Sequence, residues 1–333
     1  MTRFFPSVLS GFLLAAVLAH AAAPRPITLG VAGNSFTIDG SPTFLVFISY
    51  FDALRRAAAG GVDDDFAYLE GKVHGVRIFP NWWGDPCALK SDADTLFDLD
   101  GRIRPGAWRQ LQTVLDRAAA HHLVVDLSLS RETVTDNDEP ARQLTFDAYA
   151  AALTELVGSE EYMKGKYPQA LIDVQNEWPR FAEAPDIEAL LGRLRAADPQ
   201  RILAASSSGP AYEPIGVRVA KMVAAFHDPR DKEWFSADAA RQVVEGVRSK
   251  LGETSQPVYL QEPTPASAHC EGADFDGDAS HFIEAMKHAS AAGAAAWTFH
   301  TRLGFALREQ GLTEKLQDPA SSWQKTVIEQ LMR

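Results

Sequence analysis

Leu171-Ile-Asp-Val-Gln-Asn-Glu-Trp178 is a mostly apolar run that stops at an Asn-Glu pair followed by a tryptophan. Leu171, Ile172 and Val174 read as a short strand covered on both faces, since such strands appear as near-continuous apolar runs. Asn176 and Glu177 then fall at the strand's carboxyl end, where an α/β barrel collects its chemistry. Pro257-Val-Tyr-Leu-Gln-Glu-Pro263 repeats the arrangement, with β-formers leading to Glu262 and a proline ending the run.

Outward from these two runs, strand and helix patterns alternate along the chain. Strands are expected at residues 44–50, 73–79, 123–129, 171–174, 202–206, 222–227, 257–262 and 294–300. Helical spacing is expected at 63–72, 105–121, 146–157, 187–197, 238–251, 278–291 and 322–332, and the helix between strands five and six must be abbreviated. Residues 27–30 and 35–40 form a hairpin with Asp39-Gly40 as turn chemistry, placed as a cap over the barrel bottom. The reading is one α/β domain, a (β/α)8 TIM barrel. A doubly wound open sheet is the alternative, and no Gly-rich phosphate fingerprint follows an early strand to support it.

Arg3, the apolar stretch from Val8 to Leu18 and the small residues around Ala21 have the three-part form of a secretory signal. The division is therefore residues 1–21 as signal and 22–333 as the catalytic domain, with a secreted or periplasmic, monomeric product and no membrane association after cleavage. A retained anchor is the competing reading, but the apolar stretch is short for a span. The formal net charge of −12 argues against nucleic acid or an anionic membrane as partner. Cys87 and Cys270 are the two cysteines; export would permit a bond, and two free thiols are equally compatible. The Asp63-Asp64-Asp65 run reads as acidic first-turn chemistry rather than a metal site. Asp274 to Asp278 resembles the start of a calcium loop, but Ala285 stands where the bidentate Glu is needed, so a helix cap is preferred. No cofactor or metal is expected.

Two glutamates at the ends of strands four and seven can face each other across a barrel mouth. Cleavage of a glycosidic bond with retention needs such a pair, one protonating the leaving oxygen and one attacking the anomeric carbon. On these residues the chain resembles a clan A glycoside hydrolase, closest in style to the cellulase-like family 5 barrels, from Phe36 to Trp297. The resemblance implies Glu177 as acid/base, Glu262 as nucleophile and Asn176 as a contact to the sugar 2-hydroxyl. It also implies that Arg77, in Val76-Arg77-Ile78, bonds the nucleophile, and that Trp297 on strand eight lies under the −1 sugar. His227 matches a strand-six His of the family, although Pro229 stands where a Tyr is usual and Ser128 where a strand-three His is common.

The charge of Arg77 should hold Glu262 ionised and leave Glu177, with a raised pKa, as the protonated partner. Trp83, Trp178 and Tyr50, with Trp82 and Phe51, sit at strand ends where aromatics could line a carbohydrate cleft, about half of them facing the mouth. His300 and Arg302 end strand eight and could reach substrate, with a satisfied structural histidine as the preferred reading. The expected substrate is a β-linked glucan- or mannan-type carbohydrate. The competing classes are a non-catalytic carbohydrate-binding barrel and a metal-dependent hydrolase, the latter lacking a His-x-His pair in strands one to four.

Overall fold

Eight parallel strands pair side to side in the computed structural model, which describes residues 26–81, 95–133, 142–208, 213–227, 237–263, 278–300 and 311–333. In chain order they are Leu45–Ser49, Gly75–Ile78, Val124–Ser128, Ala170–Asp173, Ile202–Ala204, Met222–His227, Val258–Glu262 and Ala296–Phe299. Strand eight pairs with strand one and strand five with strand six, so the sheet closes into a barrel. Long helices follow several strands, among them Pro105–Ala120, Phe146–Gly158, Ala184–Ala197, Ala237–Leu251 and Ala279–Ala291. Among the described residues no helix joins strand five to strand six.

Strand alternation divides the core in two. Leu45, Phe47, Val124, Leu171, Ile202, Ala204, Val223, Ala225, Tyr259 and Ala296 point inward and fill the lower barrel. Val46, Ile48, Val76, Val125, Ile172, Leu203 and Leu260 point outward and pack beneath the helices. Gly75 faces inward beside Phe47, where a Cβ would stand 2.4 Å from the Val124 carbonyl and 2.8 Å from the Phe47 ring, so glycine makes room for that ring.

The N-terminal cap is a three-stranded antiparallel sheet, Leu29–Ala32, Ser35–Ile38 and Ser41–Thr43, rather than a hairpin alone. Asp39 and Gly40 both have positive φ and form a tight turn, but one leading into the third strand. Pro42 disguised that strand; it lies on the sheet edge, where its missing N–H costs little. Phe36 is fully buried and meets Tyr259 edge-on at 6.3 Å, closing the barrel floor.

Two short helices were not anticipated, Ala53–Ala58 and Leu312–Lys315. Asp65 ties them together. Its carboxylate accepts from Arg56 Nε at 2.9 Å, the Leu312 N–H and the Tyr50 hydroxyl. The aspartate run does open helix Val62–Leu69, yet Asp65 is a buried ion-pair partner rather than first-turn decoration. Asp278 caps helix Ala279–Ala291 by accepting from the Ser280 N–H at 2.8 Å, as read from the sequence. Residues 1–21, expected to be a signal, together with Cys87, Cys270, Arg302 and the rest of the calcium-like loop, lie outside the described residues.

Candidate active site

Arg77 is the hub at the carboxyl end of the barrel. Alternation on strand two turns it inward, and no part of it is exposed. Its Nη1 donates to Glu262 Oε1 at 2.8 Å, its Nη2 to Asn176 Oδ1 at 2.7 Å and its Nε to Ser128 Oγ at 2.8 Å. Asp126 and Asp173 stand at 3.5 and 3.9 Å, and Phe79 lies under the guanidinium carbon at 4.5 Å. Burial works against the charge of Arg77, but Glu262 and then Asp126 more than offset it and push its pKa above the ordinary value. Ser128, where the resembled family has a His, is thus a partner of the arginine and not a gap.

Beneath the hub, Gln261 Nε2 donates to Asp126 Oδ2 at 2.9 Å. Burial pushes the Asp126 carboxyl up to about 6, against the pull of Arg77. Asp173 accepts from the Ser206 N–H at 2.9 Å.

Glu262 reaches the interior through a break in the pairing. Val258 and Leu260 face outward and Tyr259 inward, so a regular strand would send Glu262 outward as well. The register shifts between Phe226 and His227: Phe226 pairs with Leu260, but His227 pairs with Glu262. Such a bulge re-aims a side chain next to a site, and here it leaves both Gln261 and Glu262 toward the barrel axis.

Glu177 follows strand four in a left-handed conformation, φ 52° and ψ 48°. Ser206 at the end of strand five holds it there. The Ser206 hydroxyl accepts from the Glu177 N–H at 3.0 Å, and its carbonyl accepts from the Trp178 N–H at 2.9 Å. The short helix Trp178–Arg180 then places Arg180 Nη1 at 2.5 Å from Glu177 Oε2.

His227 lies between the two glutamates. Arg77 can only donate, so the 3.3 Å approach of its Nη2 makes His227 Nε2 the acceptor and puts the ring proton on Nδ1. Nδ1 stands 3.7 Å from Glu177 Oε1 and 3.5 Å from Glu262 Oε2. One N–H therefore faces both carboxylates.

The expectation of a raised pKa at Glu177 is not met. Burial does work to raise it, and so does Glu262, but His227 and Arg180 prevail and hold the carboxyl below its ordinary value.

Of the nine residues singled out, Glu177, Glu262, Asn176, Arg77 and His227 converge. Trp83 lies outside the described residues, as does Trp82. Tyr50, Trp178 and Trp297 are buried in the outer core and do not line the mouth. For Trp297 the reason is parity: Ala296 and Thr298 face inward, so Trp297 and Phe299 share the outer side, their rings parallel to within 5°. Tyr50 is turned outward by the same count on strand one.

His300 is the residue strand eight sends to the site, with Nε2 3.6 Å from Glu262 Oε2. Of the two readings of His300, the geometry sets aside the preferred, purely structural one, and Thr298 and His300 sharing one face was readable from the alternation. Phe51 also reaches the site, stacked on Phe79 at 4.7 Å and edge-on to His300. Ser206 and Arg180 carried no pattern that would have marked them.

A scan against protein-family models finds no match, and a search of curated proteins finds none. Solved structures do match. A β-glucanase from Saccharophagus degradans, in complex with cellotetraose, is 14% identical with a TM-score of 0.63, covering 92% of this chain and 93% of that one. An endo-1,4-β-mannanase from Rhizomucor miehei is 11% identical with a TM-score of 0.57, covering 83% and 90%. A β-mannanase from Thermomonospora fusca, in complex with mannohexaose, is 14% identical with a TM-score of 0.54, covering 82% and 84%. In architecture, then, the chain shares the closed (β/α)8-barrel fold of these solved glycoside hydrolases.

Proposed function

We propose that the protein is an exported, retaining β-glycoside hydrolase acting on a glucan- or mannan-type poly- or oligosaccharide. The observation that carries this reading is the convergence of Glu177 and Glu262 on one His227 N–H, with Arg77 bonded to Glu262 and not to Glu177. The two His227 distances cap the separation of the facing oxygens. That cap admits the ~5 Å spacing of retaining pairs. The solved β-glucanase and β-mannanases on the same fold agree with the substrate class.

The roles follow from the partners. Arg77 fixes Oε1 of Glu262, leaving Oε2 to attack the anomeric carbon. Asn176 spends its side-chain oxygen on Arg77 and keeps its amide donor for a sugar hydroxyl. Glu177 is the acid/base, although Arg180 and His227 favour its ionised form in the free protein. A bound glycan that both engages the His227 N–H and takes the place of Arg180 would remove what lowers the carboxyl pKa and leave burial and the Glu262 charge, so that protonation is coupled to substrate arrival.

The test separates the two roles. Glu262→Ala should abolish turnover of every substrate, with azide restoring some by attacking from the vacated space. Glu177→Ala should keep the first step for aryl glycosides with good leaving groups and lose polysaccharide hydrolysis by about 10²-fold or more. NMR of early products should show the β-anomer; the α-anomer, or full activity in either variant, would overturn the proposal.

A further inference from the structure

Strand eight was expected to lay a tryptophan under the sugar, and it instead turns Trp297 into the helix layer and His300 toward the nucleophile. On the reading that Glu262 is a glycosidase nucleophile, we propose that His300 is a substrate-contacting residue, donating from Nε2 to a ring hydroxyl of the sugar at the cleavage point, with Ser49 as its positioning residue.

The placement is built into the barrel. Phe299 pairs with Ile48, so the next residues on strands eight and one, His300 and Ser49, are neighbours by register. Both are buried, and Ser49 Oγ lies 2.7 Å from His300 Nδ1. With the Ser49 hydroxyl donating to Nδ1, the ring proton sits on Nε2 and faces Glu262 Oε2, the favourable orientation toward a carboxylate.

The 3.6 Å gap to that oxygen is longer than a hydrogen bond, and His227 Nδ1 stands off the same oxygen at 3.5 Å from the other side. Both imidazoles therefore flank Oε2 without bonding it. A hydroxyl that enters beside Oε2 would meet both N–H groups. Phe51 meets the His300 ring at 5.7 Å and limits its swing. A histidine here reads hydroxyls by hydrogen bonding, where a tryptophan would stack on a ring face, so the site should discriminate among sugars by hydroxyl pattern.

The experiment uses 2,4-dinitrophenyl β-D-glucoside and β-D-mannoside and their monodeoxy analogues, whose leaving group makes protonation by Glu177 unnecessary. For His300→Ala and His300→Gln, kcat/KM should fall about 2- to 10-fold, the worth of one hydrogen bond between neutral partners. One deoxy analogue should lose by a similar factor with the unaltered protein and lose nothing more with His300→Ala. Ser49→Ala should cost less, and nothing further when His300 is already alanine.

Equal deoxy penalties in the unaltered protein and both His300 variants would overturn the proposal, as would unchanged kcat/KM in His300→Gln. If His300→Ala does not fold, His300→Gln and Ser49→Ala carry the same comparison. An active Glu262→Ala enzyme would instead sink the glycosidase reading, so the two failures are distinguishable.

Discussion

Glu177 holds a left-handed backbone, a conformation that costs a non-glycine residue about 1–3 kcal/mol and persists only where neighbours over-determine it. Ser206 supplies two of those neighbours, and Arg180 meets the carboxylate that results. The arginine has a direction of effect that can be read in a pH profile. In the proposed acid/base role Glu177 must be protonated to act, so activity should fall as pH rises through its pKa, and a cation that lowers that pKa should cut the alkaline side short. Arg180→Gln should therefore move the alkaline limb of kcat/KM for a polysaccharide to higher pH and leave the limb for dinitrophenyl glycosides unmoved. A limb that stays put for both substrates would show that Arg180 does not act on Glu177. The Asn-Glu pair was legible because a strand end is a recognisable place for chemistry. Ser206 and Arg180 were not, because their roles depend on contacts made only after strand five and the short helix are in place.

Within elements, the period-two alternation decides what each side chain can do, and it explains both the successes and the misses. Arg77, Asp126, Asp173 and His227 all fall on inward positions of their strands, whereas Trp297 and Tyr50 fall on outward ones. Counting outward from the inward-facing Thr298 would have placed His300 in the site and Trp297 in the core. Glu262 shows the limit of counting, since it reaches the axis through a bulge that the apolar run around it does not announce. Trp297 should behave as a packing residue. Trp297→Ala should cost about 3–5 kcal/mol of stability, measured by denaturant unfolding, with KM for the folded fraction unchanged. A large rise in KM with little loss of stability would return it to the sugar site.

At the scale of the molecule, the eight strands were readable because each is buried on both faces, and the closure of the barrel followed from their number and order. The third strand of the floor sheet and the pairing of strands five and six were settled by contacts no local pattern encodes. The finished architecture sorts the two ion pairs of the candidate site by depth: Arg77 is wholly enclosed, while the Arg180 side chain is 64% exposed. Dissolved ions screen the outer pair and hardly touch the inner one. Ionic strength thus becomes a selective reagent for the acid/base. Raising sodium chloride from about 0.01 M to 1 M, where the Debye length shrinks from ~30 Å to ~3 Å, should carry the alkaline limb upward toward that of Arg180→Gln. The acid limb, assigned to the proposed nucleophile Glu262 beside Arg77, should stay in place, and the Arg180→Gln protein should lose most of its response to salt.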